Sequence, residues 1–210
     1  MAVTGLLMVL FAIVHMLGHL QMFGGPAMYN KYAHFLQSLW EVKWPVRVGL
    51  AGLVVVHLAT GLSLVAKNRA ARPIAYAVYR PVAASDAGRT MALTGLVILA
   101  FVIFHLLHFT IGEVQPQYFD HVDELGRHDA YFMYVAAFKQ ISMYTAYLVG
   151  IALLSLHLGH GASSWLQSLG WRHPKYPTDK LGLVVGLGLF LGYMIPPTAV
   201  LCGLINFAGA

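Results

Sequence analysis

Histidine is the residue type whose number and spacing point to chemistry in this sequence. The 210-residue chain contains eleven histidines, although 59% of its residues are hydrophobic and only 10% are charged. An imidazole within an apolar segment is costly unless it has a partner, and imidazole is a common metal ligand. Seven of the eleven lie in apolar stretches, namely His15, His19, His57, His105, His108, His157 and His160. The chemistry that they offer is metal ligation or proton exchange inside a membrane.

Five stretches are long and apolar enough to position these histidines in membrane-spanning helices, which need about 20 residues each. They lie near residues 3–23, 46–66, 91–112, 142–161 and 181–207, the last interrupted by Pro196 and Pro197. Residues 24–45 and 113–133 are expected to contain short interfacial helices, and 131–140 (YFMYVAAFKQ) has the aromatic residues suited to the headgroup level. We therefore predict an all-α integral membrane protein, with a single domain over residues 1–210.

The distribution of basic residues predicts the orientation of the chain. One side of the predicted topology has eight basic residues: Lys67, Arg69, Arg72, Arg80, Arg89, Arg172, Lys175 and Lys180. The other side has five basic residues: Lys31, Lys43, Arg47, Arg127 and Lys139. Six acidic residues accompany them there. The positive-inside rule then places the N-terminus in the cytoplasm and the C-terminus outside.

Several functional classes are excluded by composition and motif. The single cysteine, Cys202, excludes an internal disulfide and any site that needs several cysteine ligands, such as an iron–sulfur cluster. The sequence contains no Walker loop, Rossmann fingerprint, nucleophile elbow or HExxH motif. The basic balance says little about nucleic acid, because in such an apolar chain the position of Lys and Arg matters more than their sum.

The spacing of the histidines pairs them by depth. His15 and His105 each follow a Thr-Gly pair by eleven residues (TGLLMVLFAIVH and TGLVILAFVIFH), so both lie about 16 Å along their helices from that threonine, in the outer half. His57 and His157 begin HLATG and HLGHG, where a glycine one turn later leaves room for a flat, bulky group. His157 is predicted near the inner end of its span and His57 nearer the middle, although the two pair best with each other.

Two histidines at each of two depths suit bis-imidazole ligation of two b-type haems inside a helix bundle. Zinc fits less well, because it needs three or four ligands at one point. Two other interpretations stay open for these side chains. Any one of them can be a hydrogen-bonded structural residue, or together they can line a path through a haem-free transporter or metal permease.

Four segments resemble a known family. MAVTGLLMVLFAIVHMLGHLQMF, YNKYAHFLQSL, HLATGLSLVAKNRAARP and LHLGHGASSWLQSLGWRHPKY are similar to parts of the dihaem cytochrome b558 membrane anchor of succinate:quinone oxidoreductases, that is, of succinate dehydrogenase and fumarate reductase. The resemblance covers nearly the whole chain. It implies that the first four helices form the haem-binding bundle, with the fifth peripheral, in a bacterial cytoplasmic membrane.

The resemblance also implies ligands and partners. His57 and His157 would hold the proximal haem b, and His15 and His105 the distal haem b. Electrons would pass between an iron–sulfur subunit and a quinone, with menaquinone expected, while a flavoprotein subunit with FAD acts on succinate. The basic residues Lys67, Arg69 and Arg72 are a candidate dock for the iron–sulfur subunit. A cytochrome b anchor of a hydrogenase or formate dehydrogenase is the related alternative.

Further residues are candidates for supporting roles. His19, His108 and His160 are expected beside the haems, although His19 and His108 have the alternative role of solvating the outer helix ends. The candidates for an outer quinone site are His19, His108, Arg47, Lys139 and Gln140, and those for an inner site are His160, Ser164 and Trp165. Ser155 replaces a glutamate that carries protons in some relatives, so no proton path along the fourth helix is expected. The loop histidines His34, His121, His128 and His173 are predicted to be exposed.

Overall fold

The computed structural model describes residues 1–74, 78, 86–171 and 178–207. The helices within these ranges are α1 (Ala2–Leu20), α2 (Gly25–Ser38), α3 (Trp40–Ala70), α4 (Asp86–Leu106), α5 (Ala130–Phe138), α6 (Ile141–Ser168) and α7 (Thr178–Leu201). A π-helical turn, Leu107–Ile111, continues α4, and short 3₁₀ turns cover Gln21–Gly24 and Pro116–Tyr118. Four residues used in the predictions lie outside the described ranges. They are the basic residues Arg80, Arg172 and Lys175 and the loop histidine His173.

Five helical segments are long and apolar enough to cross a membrane. They begin at Ala2, Trp40, Gly88, Ile141 and Lys180. This confirms the prediction of an all-helical chain with five candidate membrane spans.

Two of the spans are longer than predicted. Helix α3 covers 40–70 rather than 46–66, and α6 covers 141–168 rather than 142–161. Hydropathy marks where apolar residues occur, whereas a helix continues for as long as its backbone hydrogen bonds are made. His157 therefore lies about three turns before the end of α6 instead of near its end. His57 lies at a comparable distance from the end of α3, so the predicted offset between the two histidines is wrong.

The predicted interruption of the fifth span at Pro196 and Pro197 is also wrong. Helix α7 continues through both prolines and ends at Leu201 rather than at 207. Each proline removes one backbone donor, yet neighbouring helices make such residues tolerable within a membrane span. Pro196 is fully buried, so packing holds the helix together at this point.

The four helices that carry the intramembrane histidines form a ring. Helix α1 packs against α3 and α6, and α4 packs against the same two helices. The order around the ring is therefore α1, α3, α4, α6, with α1 diagonally opposite α4 and α3 diagonally opposite α6. This arrangement turns one side of every helix toward a common centre.

Helix α7 packs on α6 and α1, outside this ring. A Cβ atom on Gly182 would meet the Gly159 carbonyl oxygen and the Ser163 hydroxyl, so the backbones of α6 and α7 approach closely, as small residues allow. The Tyr193 hydroxyl donates to the Ala12 carbonyl at 2.7 Å and ties α7 to α1. Helix α7, the fifth candidate span, therefore lies outside the ring. It nevertheless has the largest buried share of the described spans.

The prediction of an interfacial helix over 131–140 is wrong about the surroundings of this segment, which forms helix α5. The segment is helical, but nearly all of its side chains are buried against α2, α6 and α7. A helix that is apolar on every side has no face to offer to water or headgroups, so it becomes part of the core.

A buried polar contact joins α2 to the start of α5. Asn30 donates from Nδ2 to the Asp129 carboxylate at 2.8 Å and accepts from the Tyr131 N–H at 2.9 Å. Asp129 in turn caps α5 by accepting from the Phe132 N–H at 2.9 Å. Because buried polar groups require partners, this contact specifies how α2 and α5 sit together. Neither Asn30 nor Asp129 was singled out from the sequence.

Candidate functional site

The ring of helices brings the four predicted ligand histidines together as two pairs. The ring centres of His15 and His105, on opposite helices α1 and α4, lie 6.0 Å apart with planes at 80°. Those of His57 and His157, on α3 and α6, lie 6.5 Å apart with planes at 62°. We name the first the loop-end pair and the second the threonine-end pair, after their neighbours described below.

The two pairs lie at different levels of the bundle. His57 contacts Thr4 on α1, whereas His15 follows Thr4 by eleven residues on the same helix. At 1.5 Å per residue the two levels are about 16 Å apart along α1. The four imidazoles therefore form two separate pairs and not one cluster.

The ring spacing within each pair suits a metal ion bound from both sides. A metal–imidazole bond is about 2 Å long and the ring centre lies about 1 Å beyond the nitrogen, so two imidazoles on one ion have centres about 6 Å apart. The observed 6.0 and 6.5 Å agree with this value. Within the described residues, no three His, Cys, Asp or Glu side chains come together as a metal-binding group. Two axial ligands are what haem b requires from the protein, so these residues fit that group.

Each imidazole of the threonine-end pair contacts a threonine on a neighbouring helix. Thr4 Oγ1 lies 3.0 Å from His57 Nδ1, and Thr94 Oγ1 lies 3.2 Å from His157 Nδ1. Sequence reasoning used Thr4 and Thr94 only to measure depth and missed these contacts. The signal was present, because the same Thr-Gly pair lies eleven residues before a histidine in both α1 and α4.

Glycines beside the threonine-end pair leave space next to the imidazoles. A Cβ atom on Gly5 would lie 3.4 Å from His57 Cε1, and one on Gly95 would lie 3.5 Å from His157 Cε1. Gly161 was predicted to make room for a flat group, and a Cβ atom on it would have no neighbouring atom within 4 Å. The corresponding Gly61 faces the Met1 side chain at 3.5 Å, so the space there is covered.

The loop-end pair is hydrogen-bonded through a tyrosine. The Tyr147 hydroxyl lies 3.3 Å from His105 Nδ1 and 3.1 Å from His108 Nδ1. A hydroxyl has one hydrogen, so Tyr147 donates to one imidazole and accepts from the other. His108 is only 2% exposed, which rules out the alternative that it solvates a helix end.

Two glutamines extend this network away from the histidines. His108 Nε2 lies 3.0 Å from Gln115 Oε1, and Gln115 Nε2 donates to Gln140 Oε1 at 2.7 Å. Gln140 in turn donates to the Tyr118 hydroxyl at 3.4 Å. Gln140 was a candidate from the sequence, whereas Gln115, which has a left-handed backbone (φ 64°), was not. The network connects a buried imidazole with the loop after α4.

His19 adds a third imidazole beside the loop-end pair. Its Nε2 lies 3.3 Å from His15 Nε2, and its Nδ1 lies 3.0 Å from the Tyr29 hydroxyl. The rings of Tyr134 and Tyr193 also pack against it, with centres 5.6 and 6.4 Å away. His19 is therefore part of a packed aromatic cluster next to the candidate ligand His15.

The remaining predicted residues lie apart from the two pairs. Arg47 stacks over Trp44 at 5.5 Å, and Lys139 lies over the Phe207 ring at 4.1 Å. Neither makes a hydrogen bond or ring contact with a histidine in the described part of the chain. His160 is half-buried one turn after His157.

Ser164 and Trp165, the candidates for an inner quinone site, contact only nearby residues among the described contacts, and Ser155 lies buried in the same helix. Ser164 bonds to the Gly161 carbonyl and Trp165 packs on Trp171. Ser155 is buried and its hydroxyl has no hydrogen-bond partner. A Cβ atom on Gly186 of α7 would lie 3.0 Å from the Ser155 carbonyl oxygen, so Ser155 lies at the crossing of α6 and α7.

The loop histidines follow the prediction only in part. His34 and His121 are exposed, and His121 stacks on Phe132 with ring centres 4.0 Å apart. His128 was predicted to be exposed but is half-buried, because its ring packs on Phe119 at 5.2 Å.

An ion pair closes a turn in the loop that contains His121 and His128. Arg127 donates to the Asp123 carboxylate at 2.8 Å, and the Leu125 and Arg127 backbone N–H groups donate to the same carboxylate at 3.0 and 2.9 Å. The Arg127 side-chain hydrogen bond is the main reason that the pKa of Asp123 is lowered from its ordinary value. One carboxylate thus holds together the turn between Asp123 and Arg127.

Comparison of the chain with protein-family models, curated proteins and solved structures finds no match.

Proposed function

We propose that this chain is the dihaem cytochrome b membrane anchor of a succinate:quinone oxidoreductase. It would pass electrons between an iron–sulfur partner and a membrane quinone without itself acting on succinate. The observation that carries the dihaem part is the pair of diagonal histidine contacts, with ring centres 6.0 and 6.5 Å apart at two levels. The assignment to this oxidoreductase rests on the family resemblance of the four segments.

Haem b supplies one-electron transfer at its iron when it is bound. The chain's own residues then have three tasks. His57 and His157 would hold one haem iron, and His15 and His105 would hold the other. The aromatic residues around the loop-end pair keep water away from the imidazoles, which affects the potential at which an electron is accepted.

The partner subunits dock on the end of the bundle that has Lys67, Arg69 and Arg72. All three are exposed at the end of α3. An acidic surface on the iron–sulfur subunit would complement them and would lie close to the threonine-end pair. With this end in the cytoplasm of a bacterium, His57 and His157 hold the proximal haem and the N-terminus is inside.

The quinone site belongs to the opposite end. A quinone carbonyl needs hydrogen-bond donors, and the side-chain amides of Gln115 and Gln140 would supply them, linked to His105 through His108 and Tyr147. Lys139 precedes Gln140 in sequence and is exposed. Menaquinone is the expected substrate, and the residues of this network are the ones to which it would bind.

A reduced-minus-oxidised absorption spectrum of the purified chain tests the haem part of the proposal. We expect b-type bands corresponding to two haems per chain. The absence of any b-type band would reject the proposal in favour of a haem-free transporter.

Isolation of the intact complex from its native membrane tests the assignment to succinate oxidation or fumarate reduction. We expect a flavoprotein and an iron–sulfur subunit to copurify, together with succinate-dependent reduction of the haems. Copurification of a hydrogenase or formate dehydrogenase would instead identify the anchor of that enzyme.

A further inference from the structure

Two threonines on one diagonal of the bundle contact the histidines of the other diagonal. Thr4 of α1 is bonded to His57 of α3, and Thr94 of α4 is bonded to His157 of α6, at 3.0 and 3.2 Å. Each threonine is followed by a glycine that faces the edge of the same imidazole, and a Cβ atom there would lie 3.4 or 3.5 Å from Cε1. The same contact therefore occurs twice, on opposite sides of one pair of imidazoles.

Counting hydrogens favours one direction for both hydrogen bonds. A threonine hydroxyl has one hydrogen to donate and two lone pairs that accept. Thr4 donates its hydrogen to the Met1 carbonyl at 3.0 Å. Thr94 donates to the carbonyls of Thr90 and Met91 at 3.1 and 3.2 Å. With its hydrogen on a helix carbonyl, each hydroxyl has only lone pairs to offer to its histidine.

An imidazole that faces a hydroxyl lone pair through Nδ1 must have its hydrogen on Nδ1. In the neutral ring the other nitrogen, Nε2, then has a free lone pair. Nε2 is a normal point of attachment to a metal, and the hydrogen bond at the second nitrogen fixes the tautomer and makes the ring a stronger donor.

We propose that Thr4 and Thr94 are positioning residues that hold His57 and His157 in the Nδ1–H tautomer, leaving both Nε2 atoms free to ligate one metal. The inference rests on the proposed function only in taking that metal to be haem iron. The tautomer itself is a property of the chain and exists without the haem. Neither threonine touches the metal, so each acts through its histidine.

Backbone hydrogen bonding alone does not account for the pattern. Threonines in helices commonly donate to the carbonyl four residues earlier, and Thr145 of α6 does so with Ile141 at 2.7 Å. Thr145 has no imidazole beside it among the described contacts, which makes it a matched control. If the role of Thr4 and Thr94 were merely local, replacing any of the three hydroxyls would have the same effect.

The test compares Thr94→Val, Thr94→Ser and Thr145→Val in the haem-loaded full chain. Valine has the shape of threonine without the oxygen, and serine restores the oxygen. We expect Thr94→Val to keep both haems but to raise the midpoint potential of one, because a weaker imidazole donor stabilises ferric iron less. Thr94→Ser and Thr145→Val should retain the original potentials. Equal shifts in Thr94→Val and Thr145→Val, or no shift in either, would overturn the inference.

A second readout uses the haem-free full chain labelled with ¹⁵N at histidine. The ¹⁵N chemical shifts of a neutral imidazole distinguish Nδ1–H from Nε2–H. We expect His57 and His157 to be Nδ1–H in the native chain, and His157 to gain the Nε2–H form in Thr94→Val. A native His157 in the Nε2–H form would reject the inference even if two haems bind. Correct tautomers without a b-type spectrum would instead reject the proposed function and leave the threonine role standing.

Discussion

His57 and His157 face each other across the bundle with ring centres 6.5 Å apart, although one hundred positions separate them in the sequence. Their helices occupy one diagonal of the four-helix ring, and His15 and His105 meet in the same way on the other diagonal. This relationship makes the pairing of ligands testable one residue at a time.

Alanine substitution of the four histidines tests the pairing. We expect His57→Ala and His157→Ala to remove the same haem component, and His15→Ala and His105→Ala to remove the other, because bis-imidazole ligation needs both rings. Each variant should retain about half of the haem, measured by redox-difference spectroscopy. The exposed His34→Ala serves as control and should keep both haems. Loss of one component by both His57→Ala and His105→Ala would contradict the pairing.

His19 provides a sharper test of which imidazole is the ligand on α1. Its Nε2 lies 3.3 Å from that of His15, but it is the His15 ring that faces His105, with ring centres 6.0 Å apart. We therefore expect His19→Ala to retain both haems with an altered spectrum, whereas His15→Ala loses one. The reverse result would make His19 the ligand opposite His105.

The contact between α2 and α5 depends on Asn30. Replacing it with alanine leaves the Tyr131 N–H without its partner in a buried place and removes a bond to Asp129. We expect Asn30→Ala to lower the free energy of unfolding by about 1–3 kcal/mol, measured by denaturant unfolding in detergent. Asn206 is the control, because its exposed side chain donates only to the Gly203 carbonyl. Similar losses in both variants would show that burial at Asn30 is not the cause.

The crossing of α6 and α7 depends on the absence of a side chain at Gly182. A Cβ atom there would meet Gly159 and Ser163, whereas one on Gly188 of the same helix meets nothing within 4 Å. We expect Gly182→Ala to destabilise the chain by about 1–3 kcal/mol through overpacking. Gly188→Ala should be neutral or stabilising, since alanine favours helix by about 1 kcal/mol. Thermal unfolding of both variants measures the difference, and equal midpoints would contradict the close crossing.

The loop between α4 and α5 should lose its order in acid. Because the pKa of Asp123 is lowered in the folded loop, the ionised carboxylate stabilises the loop at neutral pH. That stabilisation begins to be lost as the pH falls below about 4, the ordinary value for aspartate, and disappears as the pH passes through the folded value. Protection of the Leu125 and Arg127 amides from hydrogen exchange, taken relative to the intrinsic exchange rate at each pH, should fall over that range, because both amides bond to this carboxylate. In Asp123→Asn the exchange should be faster at neutral pH and the acid-dependent step should vanish.

Local sequence was a good guide to the elements and a poorer guide to their ends. Five apolar segments of sufficient length are a strong signal, because a membrane span needs both length and apolar composition. The ends of α3 and α6 extend into polar residues that a hydropathy window does not include. The prolines of α7 and the buried position of α5 depend on packing by other helices, and no local pattern contains that information.

The histidines of the candidate site were predictable from the sequence, whereas the side chains that bond to them were not. The types and spacing of His15, His57, His105 and His157 follow from the sequence, as does their division into two levels. The hydroxyl partners were missed because Thr4 and His57 lie on different helices, and spacing along one helix does not report a contact across two. Tyr147 and Gln115 were missed for the same reason, since each reaches a histidine from another segment.

The sequence by itself determined that this chain is helical, apolar and rich in histidine within its apolar segments, because composition and periodicity are properties of the sequence alone. The tertiary structure decided which helices are diagonal, and therefore which imidazoles face each other at 6.0 and 6.5 Å. It also decided that the hydroxyls of Thr4 and Thr94 lie 3.0 and 3.2 Å from Nδ1 of His57 and His157. Helix packing sets these distances, and a hydrogen bond or a metal bond forms only when such distances are met.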